Sequence, residues 1–350
     1  MNANAAPPLL SAAQLRSLGT DAFHGLGLAR DEAALVAEVL VLAELFGLTT
    51  HGLSRIESYG ERLASRGINP IAQVQEHSLA PAIARIEGNN AVGPLVGMRA
   101  LQVAMRLAKA QGVGVVLANG SNHFGPISPY SYLAAQQGFA SIIGSNATTT
   151  IAPTGGSDAR LGNSPLGFGV PHPDGQHFML DMAMSVVARA KIRNALKRGE
   201  AIPDTWATDF AGKPTSDPRA ALDGFLLPIG GHKGYGLALM VDLFAGLLSN
   251  AAYLTHVKSW VDAPDEPQNL GHFFILLDTA RLGSTAWLAE RMSDFAAILH
   301  GSPAVDPQVP VIVPGEIELG KMQRHLETGL ALDTTTRALL ERYASLASEE

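Results

Sequence analysis

Three short segments combine residue types that handle protons and organic acids. The first is Asn119-Gly120-Ser121-Asn122-His123-Phe124-Gly125-Pro126, which follows a continuous apolar run. A histidine in a loop at the end of a strand can give or take a proton near neutral pH. The same stretch also reads as a turn rich in Gly and Asn that its His caps. The second segment places His51, Arg55 and Tyr59 at i, i+4 and i+8, along one face of a helix. The Arg55 guanidinium fork suits a carboxylate held through two hydrogen bonds. Alternatively, this is a solvated face with Arg55 paired to Glu57 or Glu61. The third is Pro228 to Gly236, PIGGHKGYG, ahead of a helical pattern. Glycines there let backbone N–H groups approach an anion, and Lys233 adds a positive charge; a tight turn with a solvated lysine is the other reading, and the four glycines around one lysine favour the anion site. Asp181, at the end of a strand-like run, can orient a histidine, hold a ribose hydroxyl or cap a helix.

Several other chemistries find no support. A strand followed by G-x-G-x-x-G and a helix is absent: Gly25-Leu26-Gly27, Gly112-Val113-Gly114 and Gly167-Phe168-Gly169 each lack part of it. The chain has no cysteine, which removes disulfides, thiolate nucleophiles and sulfur-ligated metals. His172 and His177 near Asp174 form no compact ligand set, so no metal site is expected. Neither a G-x-S-x-G elbow nor a phosphate-binding P-loop occurs.

The elements that must position these groups follow from length and periodicity. At 350 residues, 47% hydrophobic and 16% charged, the chain can bury a large core, in two domains or in one domain with a large lobe. Its net charge is 25 − 32 = −7 with no basic run, which disfavours nucleic acid. Met1 to Pro8 lacks a signal-peptide pattern, and Leu237 to Leu248, interrupted by Asp242, is too short for a bilayer. A cytoplasmic protein is the expectation.

Helices are predicted after Ser11, over Glu32 to Phe46, and from about Leu53 to Arg66. From Val74 onward, strands alternate with helices. Gly112 to Ala118 reads as a strand buried on both faces, with further strands at Ala140 to Gly144, Phe178 to Met182 and Phe273 to Leu277. Helices are predicted at Val92 to Gln111, Tyr130 to Gln137, Val186 to Lys197, Tyr235 to Ser249 and Ser284 to Leu299. Past Pro314-Gly315-Glu316 the chain is helical again and can return to the N-terminal helices.

Taken together, the motifs resemble the malate/L-lactate dehydrogenase family of the second, non-Rossmann type. Ureidoglycolate, sulfolactate and diketogulonate oxidoreductases and cyclic-imine reductases share that family. The likeness runs from about Ala12 to Leu332. It is carried by Thr50-His51-Gly52 with Arg55 and Tyr59, Asn122-His123-Phe124-Gly125 and Ala152-Pro153-Thr154-Gly155-Gly156. Asp181-Met182-Ala183, Ile202-Pro203 through Trp206, Gly230 through Gly236 and Pro314-Gly315-Glu316 complete it, in the same order and with similar spacing.

The resemblance implies an α/β fold: a non-Rossmann mixed-sheet cofactor domain beside a helical lobe built from both chain ends. The expected division is 1–75, 76–315 and 316–350, usually in a homodimer. It implies His123 as the catalytic acid/base and His51 as a second catalytic residue, on the substrate side near the nicotinamide, with Arg55, Tyr59 and Thr50 binding substrate. Asn146, Ala147, Asp181, Met182, Ala183, Lys233 and Gly315 match cofactor positions, for NAD or alternatively NADP. The implied reaction is hydride transfer between nicotinamide and a small 2-hydroxy/2-oxo acid. Reduction of a cyclic imine such as Δ1-piperideine-2-carboxylate is the alternative within the family; binding a nucleotide or organic acid without catalysis is the alternative outside it. This chain departs from the family's usual Ser-His-Gly with Thr50-His51-Gly52. It departs from Gly-Thr-Asn-Pro with Gly162-Asn163-Ser164-Pro165.

Overall fold

The structure, a computed structural model, describes residues 8–347. Residues 1–7, most of the stretch read for a leader, lie outside the described residues.

The chain opens with α1 (Ala12–Gly25), α2 (Arg30–Leu45) and α3 (Ile56–Ala64). Ser11 begins α1 as predicted: its hydroxyl accepts from Gln14 N, and the Gln14 side chain accepts from Ser11 N at 2.9 Å. The sheet then starts with β1 (Gln75–Ala80) and β2 (Ile83–Glu87), followed by α4 (Gly93–Gln111), β3 (Val113–Ser121), α5 (Ser128–Gln136) and β4 (Phe139–Ser145). Next come β5 (Thr149–Ile151), β6 (Leu161–Gly162), β7 (Leu166–Val170) and β8 (Phe178–Met182). After α6 (Arg189–Arg198), α7 (Pro218–Asp223) and α8 (His232–Asp242) the chain returns to the sheet as β9 (Leu270–Asp278). It closes with α9 (Thr285–His300), α10 (Glu316–Thr328) and α11 (Thr334–Leu346).

The last helix lies against the first. Gly25 of α1 passes so near α11 that a Cβ there would sit 1.9 Å from Tyr343 O. α10 packs on α2. The helix predicted over Tyr235 to Ser249 instead stops at Asp242 and continues as one widened π turn, Leu243–Leu247.

The main sheet has the order β1-β2-β3-β9-β4-β7-β8, and only the β2–β3 pair is parallel. β9 runs antiparallel to both neighbours, so β3 and β4 point the same way on either side of it. His272 of β9 stands opposite Ala118 of β3 and Ser145 of β4. The loops that leave β3 and β4 therefore emerge side by side at one edge of the sheet. Pockets in α/β proteins commonly open at such carboxyl ends.

Two apolar cores flank the sheet. One runs from Ala12 to Leu340 and joins the terminal helices to α4 and one face of the sheet. The other gathers Ile151, Met184, Ile192, Val241 and Phe273 on the opposite side. β3 differs from expectation: Gly114, Val116 and Ala118 are buried, while Val113, Val115 and Leu117 are only half-buried. The reason is uneven cover: the second core reaches Leu117 and Ile275 on one face but leaves the rest of that face partly open. α4 lies so close that a Gly114 Cβ would meet Ala104 O at 2.2 Å. On the other face, Ile83, Val115, Ile275 and Ile142 form one row across four strands. Ile83 and Ile142 in that row are 38% and 37% exposed.

Candidate active site

His123 hangs from the loop after β3, and the strand end beneath it is tied down. Asn122 is fully buried, and its amide donates to Asn90 Oδ1 (2.9 Å) and Ala91 O (3.0 Å). A Cβ on Gly93, at the start of α4, would lie 2.1 Å from His123 O, so this crossing requires glycine. His272 bridges the two loop-bearing strands, with its ring nitrogens 2.7 Å from Ser121 Oγ and 2.9 Å from Ser145 Oγ. It also stacks on Phe124, ring centres 4.1 Å apart. Burial pushes His272 down to about 3, so it stays neutral and acts as a strut.

His51 and Arg55 do not share one helix with Tyr59. Thr49–His51 and Leu53–Arg55 are separate 3-10 turns, and α3 begins only at Ile56. Glu44, projecting from α2, is the physical reason. Its carboxylate is 3% exposed and accepts from Leu53 N at 2.8 Å. A Cβ on Gly52 would stand 2.3 Å from Glu44 Oε1, so the glycine of Thr50-His51-Gly52 makes room for that carboxylate. Burial raises the Glu44 carboxyl to about 7. The break swings His51 toward the sheet, where its ring centre lies 5.7 Å from that of His123. Thr50 is exposed, with Oγ1 3.0 Å from His51 Nδ1, and so orients His51 from behind.

Tyr59 is fully buried. Its hydroxyl oxygen lies 2.8 Å from His123 Nδ1 and donates to His123 O at 3.0 Å. A carbonyl can only accept, so the phenol proton goes to the carbonyl and Nδ1–H donates to the phenol oxygen. That selects the tautomer whose Nε2 carries the free lone pair. Burial raises the Tyr59 pKa, which keeps the phenol a donor. Burial first, then the Arg55 charge, and then the neighbouring His51 and His272 imidazoles, against which a second protonated ring would be unfavourable, hold His123 well below the usual histidine range. Burial and then Arg55 lower His51 to about 4.

These groups face a cavity of about 490 Å³. His51, Arg55, His123, Asn146, Ala147, Asp181 and Ala183 all line it. Thr50, which is exposed, and Tyr59, which is buried behind His123, do not line it. Met182, Lys233 and Gly315 do not line it, and Lys233 is exposed at the start of α8. Gly315 instead aims α10: at φ 106°, a Cβ there would lie 2.7 Å from His177 O. That turn brings Glu318 to the cavity.

The Asn146 side chain is already used, accepting from Gly271 N (3.0 Å) and donating to Ala252 O (2.6 Å). Asp181 caps a helix, though one earlier in the chain: its Oδ2 accepts from Ile127 N, Ser128 N and Ser128 Oγ at 2.7–2.9 Å. Burial still raises its pKa.

Three cavity residues carry buried polar atoms without a partner among the described residues: Arg55 Nε, Thr150 Oγ1 and Gln268 Oε1. Ser164, in the departing Gly162-Asn163-Ser164-Pro165 segment, holds a fourth, and its neighbours Asn163 and Pro165 line the cavity. Unsatisfied buried groups are costly, so these fit a polar ligand such as a carboxamide or a ribose. Arg193 and Trp260 also line the cavity and were not singled out from the sequence. Arg193 sits in an ordinary basic helix and Trp260 in a loop without periodicity, so neither carried a local signal.

The family model described as malate/L-lactate dehydrogenase matches residues 10–341. Malate dehydrogenase of Pyrococcus horikoshii is 32% identical over 330 residues, 92% of this chain and 90% of that protein. The crystal structure of malate dehydrogenase from Entamoeba histolytica superposes with a TM-score of 0.89 at 27% identity, covering 98% of this chain and 99% of that one. The Δ1-piperideine-2-carboxylate reductase structure from Pseudomonas syringae gives 0.85 at 27% identity, covering 97% and 99%.

Proposed function

The chain belongs to the malate/L-lactate dehydrogenase family, and from that premise we propose that the cavity beside His123 is its active site. The enzyme is an NAD(P)-dependent oxidoreductase acting between a small 2-hydroxy acid and its 2-oxo partner. The observation that carries the site assignment is the Tyr59–His123 contact, which leaves Nε2 of a half-buried, neutral imidazole as the nitrogen for substrate.

When bound, the nicotinamide cofactor would supply the hydride for reduction in its reduced form and would take it up in oxidation in its oxidised form. Arg55 holds the substrate carboxylate through its fork and sets which face of the 2-carbon is presented. His123 moves the proton. In oxidation, Nε2 accepts it from the hydroxyl; in reduction, the imidazolium returns it to the carbonyl oxygen. An acid anion at Arg55 offsets one of the charges that disfavours imidazolium, so binding the oxo acid raises the proton affinity of His123. His51 narrows the approach on the same side. Asn163, Thr150, Gln268 and the backbone at Ala147 offer the polar contacts for the cofactor. Asp181 and Glu318 place two carboxylates on the lining, which suits a ribose hydroxyl and repels a 2′-phosphate; NAD is therefore the proposed cofactor.

The enzyme works as a homodimer in the cytoplasm. The apolar row across β2, β3, β9 and β4 and the helix α9, which buries none of its residues, are surfaces a second copy would cover. Among the described residues, no helix is long and apolar enough to cross a membrane. The chain divides at 75 and 315: the first segment brings His51 and Arg55 to the cavity, the second brings His123 and the third brings Glu318.

Loss of absorbance at the reduced-nicotinamide band tests the function. NADH and NADPH are each offered with pyruvate, oxaloacetate, 3-sulfopyruvate and Δ1-piperideine-2-carboxylate. Turnover of an oxo acid with NADH is the expected result, and turnover of the imine alone moves the enzyme to the reductase branch.

A further inference from the structure

Trp260 belongs to the irregular stretch between the turn Leu254–His256 and β9. Its ring centre lies 5.7 Å from that of His123 and 5.6 Å from that of Tyr59. Val261 and Leu48 add apolar surface to the same cavity. No helix or strand carries Trp260, so something else must hold it.

Arg62 of α3 does. It is 1% exposed, with its guanidinium 4.6 Å from the indole centre. Nη1 donates to Trp260 O and Ala263 O, both at 3.0 Å, and Nη2 donates to Glu266 O at 2.5 Å. No carboxylate pairs with it among the described ion pairs. Stability alone favours an apolar side chain over a buried cation. Its bonds all end on one loop, which points to the position of that loop as what the cation serves. The loop is further closed by Lys258 on Glu266 (2.9 Å) and by Ser65 Oγ on Pro264 O (2.9 Å). Gly67 passes where a Cβ would lie 1.9 Å from Pro264 O.

We propose that Trp260 is the wall that limits the substituent on the 2-carbon of the substrate, and that Arg62 is the positioning residue that fixes this wall. The inference rests on the hydride-transfer reading above. The reacting oxygen must touch His123, so a substituent on the same carbon extends toward the indole beside it. Acids with short substituents fit, and branched-chain or aromatic 2-oxo acids are excluded.

The test compares kcat/KM for pyruvate, 2-oxobutyrate, 2-oxovalerate and phenylpyruvate, with NADH affinity and circular dichroism measured alongside. Trp260→Ala is expected to shift the long-to-short ratio by about tenfold or more, and Trp260→Phe to keep it near wild type. Arg62→Met is expected to shift the ratio in the same direction, raising KM more than it lowers kcat, with NADH affinity unchanged. A Trp260→Ala ratio within about twofold of wild type overturns the wall. An Arg62→Met protein with the wild-type ratio, or one that loses NADH affinity along with its fold while Arg62→Lys keeps the wild-type ratio, overturns the positioning role.

If the wild type reduces none of these acids, the failure belongs to the parent reading. The wall is then judged by Trp260 emission, isolated by Trp206→Phe and Trp287→Phe, during titration with oxamate and NADH. A change on adding oxamate supports it, and no change at any concentration overturns it.

Discussion

The phenol of Tyr59 meets His123 at two points, with its oxygen 2.8 Å from Nδ1 and 3.0 Å from the backbone carbonyl. The contact fixes both the ring orientation and the tautomer. Tyr59→Phe should therefore leave NADH affinity intact and lower kcat by about tenfold or more, a fraction of the about 10²–10⁴-fold expected for His123→Ala. Single-turnover rates separate the two effects. Full activity in Tyr59→Phe would remove the phenol from the proton path.

The pH profile follows from the charges around His123. Its proton affinity is depressed by burial and by Arg55, His51 and His272. For hydroxy-acid oxidation, kcat/KM should stay level as pH falls through 6.5 and decline only below it. Arg55→Gln removes a neighbouring positive charge, so the decline should move to higher pH. A wild-type decline centred at or above 6.5 would contradict this account.

Arg55 and Arg193 both line the cavity, and neither has an ion-pair partner among the described residues. Arg55→Lys should raise KM for every oxo acid by about tenfold, because a point charge cannot replace the fork. Arg193→Gln distinguishes two sources of negative charge. A KM increase for oxaloacetate but not pyruvate assigns Arg193 to a second acidic group on the substrate. An equal loss for both, with weaker NADH binding, assigns it to a cofactor phosphate.

Glu44 gives a stability signature. Burial raises its folded-state value to about 7, above the ordinary 4.5. The folded state then holds a proton that the unfolded state has released, so the wild type loses stability as pH rises from about 4.5 to about 7. Glu44→Gln should gain on the wild type across that window by as much as about 3 kcal/mol. Urea midpoints at pH 4.5, 6 and 7.5 check it, and parallel curves for the two proteins would refute it.

Much of the scaffold was legible because its signals are local. Ser11 as a helix start and the apolar run of β3 each declare an element within a few residues. His123 was legible as a histidine just past a strand. What escaped depends on distant partners. His51 and Arg55 read as one helix face with Tyr59, because nothing near them announces that Glu44 interrupts it. Tyr59 read as a substrate contact, since its spacing cannot show that the site it points to lies behind His123. Lys233 read as an anion ligand from its glycines, yet it lies off the cavity. Trp260 required knowledge of Arg62, about two hundred positions away in the chain.

His272 stands opposite both Ala118 and Ser145, so the loops after β3 and β4 share one anchor. The loop that bears His123 and the loop that bears Ala147 are thus tied to the same residue, whereas Arg55 sits in a separate turn held by Glu44. Substrate preference can therefore drift through changes around that turn and the Trp260 loop while the geometry of the chemical step is inherited intact, which gives one scaffold room for many acids.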